Sequence, residues 1–133
     1  MSATTKYLAA LGRIVIGGEF VMSGLSKVGG YAGVTAAIAK AGLPLAPVGF
    51  GVALVVEIGV GLALLLGFRA RLAALILAIW CLVTAFFFHS NFADQNMFIH
   101  FLKNVMIAAG LLQIVHFGAG ALSVDARSKP QAD

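Results

Sequence analysis

Four ionisable side chains stand inside otherwise apolar stretches of this chain: Arg13, Glu19, Glu57 and Lys103. Each costs about 2.5–3.5 kcal/mol at the centre of a membrane helix, so residues of this kind are kept for pairing or for function. Two are basic and two acidic, and mutual neutralisation is arithmetically open. A rise of about 1.5 Å per helical residue sets Arg13 at roughly 9 Å, Glu57 at roughly 15 Å, Glu19 at roughly 18 Å and Lys103 at roughly 25 Å along the membrane normal. That order predicts two pairs, Arg13 with Glu57 and Glu19 with Lys103. Arg13 and Glu19 share a helix but lie about 120° apart around it, so they do not pair directly. The premise is that a charged group sunk in hydrocarbon turns toward a partner on a neighbouring helix.

Spacing gathers further polar groups beside these charges. Glu19, Ser23 and Lys27 recur at i, i+4 and i+8 on one helix face. His100, Lys103 and Asn104 share a face of another, since such offsets are neighbours. Turned inward, the two faces build a polar intramembrane pocket of Arg13, Glu19, Ser23, Lys27, Glu57, His100, Lys103 and Asn104, with His89 and Asp94 at its mouth. A catalytic version of such a pocket would use a carboxylate as proton acceptor and Lys103 to stabilise a developing oxygen anion. The competing structural reading is a set of charge pairs that only fixes helix register.

Other chemistries find less footing. His89, His100 and Asp94 could in principle hold a metal, but their spacing matches no compact metal motif, and no metal site is assigned. His116 falls at the opposite membrane face, which argues against a haem held by two histidines. Cys81 is the single cysteine, so no internal disulfide or dithiol chemistry is available, and its apolar surroundings mark it as a small buried hydrophobe. No phosphate-cradling glycine loop or nucleophile elbow is present. No basic cluster interleaves with aromatics, which sets nucleic acid aside.

The elements that must position these residues are membrane helices. Of the 133 residues, 61% are apolar and only 11% charged, with a mean hydropathy of +1.02. A soluble chain of this length has too little interior for so much apolar surface. A span needs about 20 apolar residues, and four runs qualify: 7–26, 47–68, 72–88 and 97–117. The first is too long and too charged for a signal core and reads as a retained span. The expected fold is all-α: an integral membrane four-helix bundle over residues 1–122 with a polar tail at 123–133, read as frayed. Residues 27–46 form an Ala-rich connector with a short interfacial helix ended by Gly42. Residues 67–71 make a tight basic hairpin. Small residues at Gly59, Ala63 and Gly67, and at Ala70, Ala74 and Ala78, offer rows for close helix packing, either within the bundle or between copies in a homo-oligomer. Lys6, Arg69, Arg71, Arg127 and Lys129 fall on one side of the membrane, against Lys27 and Lys40 on the other. This predicts cytoplasmic N- and C-termini.

Taken in order, several motifs resemble the DoxX family of small bacterial membrane proteins over roughly residues 8–115. Arg13 followed by Phe20, Ser23, Gly24 and Lys27 is similar to its first-helix signature. Gly42 with Pro44 follows, then the block from Glu57 through Gly61 and Gly67 to Arg71. Phe88 with His89, and Phe101 with Lys103 and Asn104, complete the set and look most like a YphA-like branch. The resemblance implies a four-helix protein of the bacterial inner membrane. It further implies a quinone-linked or accessory part in redox, oxidative-stress or sulfur metabolism, with the lipid bilayer and a membrane or periplasmic redox partner as its surroundings. Quinone is the cofactor so implied. The residues leave two other readings open, a small proton-coupled carrier and a non-catalytic scaffold.

Overall fold

Ser2 starts the first helix by accepting the Thr5 N–H on its hydroxyl, which satisfies one of the donors that a helix start leaves bare. From there α1 runs over Ala3–Val28. The structure, a computed structural model, describes residues 2–128. After Gly29 and Gly30 the chain enters the short α2, Tyr31–Lys40. Gly42, at φ +80°, ends the turn beyond it.

The second span is composite. It comprises α3 (Ala46–Leu54), a π-helical stretch at Val55–Val60 and α4 (Gly61–Leu66). Pro47 stands in its first turn, where a missing N–H costs nothing. The third span, α5, covers Ala70–Phe88, and the fourth, α6, covers Gln95–Phe117. Each of the four is long and apolar enough to cross a bilayer. The expected spans are all present, with α1 extended at both ends. Leu8, Val55, Phe86 and Met106 are among the many large apolar residues left on the outside, which is the surface lipid requires.

The core lies mainly between the second, third and fourth spans, around Leu64, Leu77 and Leu111. Ala70, Ala74 and Ala78 are all buried there and let α5 approach its neighbours closely. Of the row at Gly59, Ala63 and Gly67, Ala63 packs against the core and Gly67 is buried, but Gly59 faces open space. The buried face of the second span instead runs through Ala53, Glu57, Gly61 and Leu64. Against it, α1 presents Gly17 and Gly24. A Cβ at Gly17 would stand 2.7 Å from the Leu65 amide nitrogen and 2.8 Å from the Gly61 carbonyl oxygen. The two backbones are therefore in contact, and only glycine permits it.

The basic hairpin is clamped from below. Gly67, at φ +71°, terminates the second span, and Arg69 adopts a left-handed φ of +45°, costly for a residue with a Cβ. Asp125 holds that conformation. Its two carboxylate oxygens accept the Arg69 and Ala70 amide protons at 2.7 and 2.8 Å, and its own N–H donates to Gly67 O at 2.9 Å. Ser123, buried, caps a one-turn helix α7 at Val124–Arg127. The expectation of a frayed tail is thus corrected for residues 123–128, because capping an otherwise bare helix start anchors them. Residues 129–133 lie outside the described residues.

The four spans do not close into a ring. The helix α6 packs on α5, and the second span packs on both α1 and α5, whereas α1 and α6 make almost no contact with each other. The glycine crossing of α1 on the second span therefore carries that side of the bundle. Gly17→Ala should destabilise the protein by about 1–3 kcal/mol through overpacking. Gly12→Ala, at a position with no atom within 4 Å of the added methyl, should be close to neutral. Thermal unfolding of both variants in detergent checks the contrast, and equal behaviour would rule out the crossing as a stabilising contact.

Candidate functional site

Glu57 sits on the π-helical turn of the second span and is 5% exposed. A π turn admits one extra residue and re-aims the side chains that follow, which is why such turns recur at functional positions. The carboxylate receives three donors from two other helices. Lys27 Nζ lies 2.7 Å and Ser23 Oγ 3.0 Å from Oε2, while Trp80 Nε1 lies 3.2 Å from Oε1. Lys27 also donates to Ser23 Oγ at 2.9 Å. The Lys27–Glu57 ion pair is the one salt bridge among the described residues.

Arg13 does not pair with Glu57, contrary to the depth argument. Its guanidinium is buried at the other end of the bundle, where it donates to the carbonyl oxygens of Leu64, Leu65 and Leu122. Leu64 and Leu65 are in the last turn of the second span. Their carbonyls have no intrahelical partner and carry the negative end of the helix dipole. A buried helix end thus competes for the arginine, and counting side-chain charges alone misses it. The lysine that does reach Glu57 enters from the end of α1, lying along its helix over Ser23.

The second expected pair is not formed either. Glu19 and Lys103 are both exposed in the isolated chain, and neither has a hydrogen-bond or ion-pair partner among the described residues. The premise of partnered charges holds for Glu57 and fails for Glu19. Both unpaired groups nevertheless border one cavity of about 1030 Å³. Glu19, Ser23 and Lys27 line its α1 wall, and His100, Lys103 and Asn104 its α6 wall, with Glu57, Trp80, Thr84 and His89 between. Its remaining lining is mainly aliphatic and aromatic, including Phe20, Phe87 and Phe88. The cavity separates α1 from α6, and Val34, Ile38 and Pro44 from α2 and the segment after it complete its lining.

Of the expected pocket residues, Arg13 is absent from this lining, as is Asp94. Asp94 caps α6 by accepting the Asn96 and Met97 amide protons, so the mouth is left to His89. The His89 and His100 rings stack with centroids 5.2 Å apart. Burial, then the positive charges of His100 and Lys103, lower the His89 pKa. Trp80 was not singled out from the sequence. Its signal was available: an indole N–H far from either interface needs an acceptor within the membrane.

The profile of the family described as DoxX matches residues 8–90. The chain belongs to the DoxX family. Inner membrane protein YqjF of Escherichia coli (strain K12) is similar to it, 42% identical over 115 residues covering 85% of each chain. Inner membrane protein YphA of the same organism is 30% identical over 131 residues, covering 94% of this chain and 93% of its own. No solved structure gives a significant match. This DoxX chain is an integral membrane protein whose relatives reside in the inner membrane. The family match spans α1 through α5, and so contains Glu57 and all of its donors.

Two outcomes follow for this site. Removing one partner of a buried ion pair strands the other, whereas removing both need not be costly. Lys27→Met, which strands the buried Glu57, should destabilise by about 3 kcal/mol or more, and Glu57→Leu, which leaves the half-buried Lys27, by less. The double variant should lose less than the sum, and strict additivity in unfolding measurements would refute the coupling. His89 supplies a pH dependence. Its folded pKa is lowered, so its contribution to stability is full above the ordinary value of about 6.5 and is lost as pH falls through the folded pKa. Melting between pH 8 and 5 should fall more steeply for the native chain than for His89→Gln, and parallel curves would sink this attribution.

Proposed function

We propose that this DoxX protein binds a lipid-soluble ring compound of the quinone class in the cavity between α1 and α6, as an accessory to membrane redox metabolism. The carrying observation is that Glu19 and Lys103, both without a partner among the described residues, border one largely apolar cavity among membrane helices. Counted along each helix, Glu19 lies roughly 13 Å before the end of α1 and Lys103 roughly 12 Å after the start of α6. A quinone carries two ring oxygens on opposite sides and an apolar body, which suits facing polar groups in an apolar setting. Lys103 would donate to one oxygen, and Glu19 would exchange a proton at the other. Glu57 is already saturated by three donors, and its role is to hold Lys27 and Trp80 in the wall. Full reduction consumes two electrons and two protons, and the electrons would come from a membrane or periplasmic redox partner.

The packed end of the bundle favours binding over transport. Arg13 and the Gly17–Gly61 crossing fill the region beneath the cavity, where a carrier would need a path.

Trp80 is the only tryptophan, and it lines the cavity, so its fluorescence reports occupancy directly. A short-chain ubiquinone or menaquinone titrated into the protein in nanodiscs should quench it saturably. Lys103→Met and Glu19→Gln should each weaken binding about tenfold or more, consistent with loss of a charge-assisted hydrogen bond. Linear, unsaturable quenching, or unchanged affinity in both variants, would overturn the assignment.

A further inference from the structure

The end of the bundle opposite the cavity carries a second group of uncompensated charges. A groove of about 750 Å³ lies between the start of α5 and the segment leaving α6. Arg69 and Arg71 stand on its walls. Neither guanidinium has a carboxylate in salt-bridge range or a hydrogen-bond acceptor among the described residues. Asp125 also borders the groove. However, its two oxygens are engaged by the Arg69 and Ala70 amides, so it fixes the backbone of the hairpin and leaves both guanidiniums without a side-chain acceptor.

The floor of the groove is backbone. Gly118 and Gly120 both adopt left-handed φ, at +86° and +81°. A Cβ at Gly118 would stand 3.3 Å from Arg71 Nε, so the guanidinium lies across this glycine. The amide N–H groups of Ala119, Gly120 and Ala121 donate to no acceptor among the described residues. Paired arginines favour the planar, bidentate recognition of phosphate oxygens.

The rim decides what kind of phosphate fits. Leu72 and Phe117 border the same groove and are 50% and 73% exposed. Leu72 lies in the first turn of α5 and Phe117 is the last residue of α6, and at span ends the surroundings pass from headgroup to hydrocarbon. An anion that meets two guanidiniums and then a leucine and a phenylalanine is one with an acyl chain attached. Basic pockets between membrane helices recognise lipid headgroups on these terms.

We propose that this groove binds the phosphate of an anionic phospholipid, with Arg69 and Arg71 on the phosphate and Leu72 and Phe117 against its acyl chains. The site is remote from the α1–α6 cavity, so its fate is independent of the quinone reading. The test is thermal unfolding of the full chain in detergent with added phosphatidylglycerol, phosphatidylcholine or inorganic phosphate. Phosphatidylglycerol should raise the midpoint by at least about 3 °C, the scale expected once ligand exceeds its dissociation constant tenfold. Phosphatidylcholine and inorganic phosphate should leave it unchanged. Both arginines are exposed, so the double variant Arg69→Gln with Arg71→Gln should fold, keep its lipid-free midpoint and lose most of the lipid shift. An equal shift with phosphatidylcholine, a full shift in the double variant, or a shift reproduced by inorganic phosphate alone would each overturn the proposal.

Discussion

A carboxylate in hydrocarbon must be met by donors, and the way Glu57 is met fixes how three helices face one another. Its oxygens are held by Ser23 and Lys27 from α1 and by Trp80 from α5. Rotating any of these helices by one residue would break at least one contact and strand a charge, a far larger penalty than any repacking of aliphatic side chains in lipid. The glycines serve the same end. Gly24 packs against Ile58 and Glu57, and Gly17 against Gly61 and Leu65, so α1 comes near enough for a serine hydroxyl to reach the carboxylate. The π turn completes the arrangement by letting Glu57 face inward on an otherwise aliphatic helix.

The molecule divides along the membrane normal into two different environments. One half is tightly filled: Arg13 satisfies the terminal carbonyls of the second span and the carbonyl of Leu122, and Asp125 closes the hairpin beside it. The other half holds a large, mostly apolar cavity with polar groups distributed on its walls. One end of the bundle is thus closed by polar contacts to backbone, and the other is left open enough to hold a cavity.

Much of this was legible in the chain itself. The four spans follow from apolar run length, and the hairpin from the brevity of residues 67–71. The clustering of Ser23 and Lys27, and of His100, Lys103 and Asn104, follows from helical periodicity. The pairing of charges was not legible, for identifiable reasons. Backbone height is a poor guide to where a lysine ammonium ends up, since four methylenes carry it about a turn along the helix, as Lys27 shows. Helix-terminal carbonyls compete with carboxylates for arginine, as Arg13 shows, and they carry no sequence signature. Asp125 looked like a tail charge because its partners are backbone amides far away in sequence. Glu19 and Lys103 are the exceptions to the rule of partnered charges, and both border the cavity.

The openness between the first and last spans also bears on how the chain is made. Everything that neutralises Glu57 lies upstream of residue 81, while α6 leans on α5 alone among the major contacts. During synthesis the costliest group in the protein can therefore find its complete complement while the last span is still within the ribosome. The wall carrying His100, Lys103 and Asn104 is the last made, and the complement of Glu57 does not depend on it.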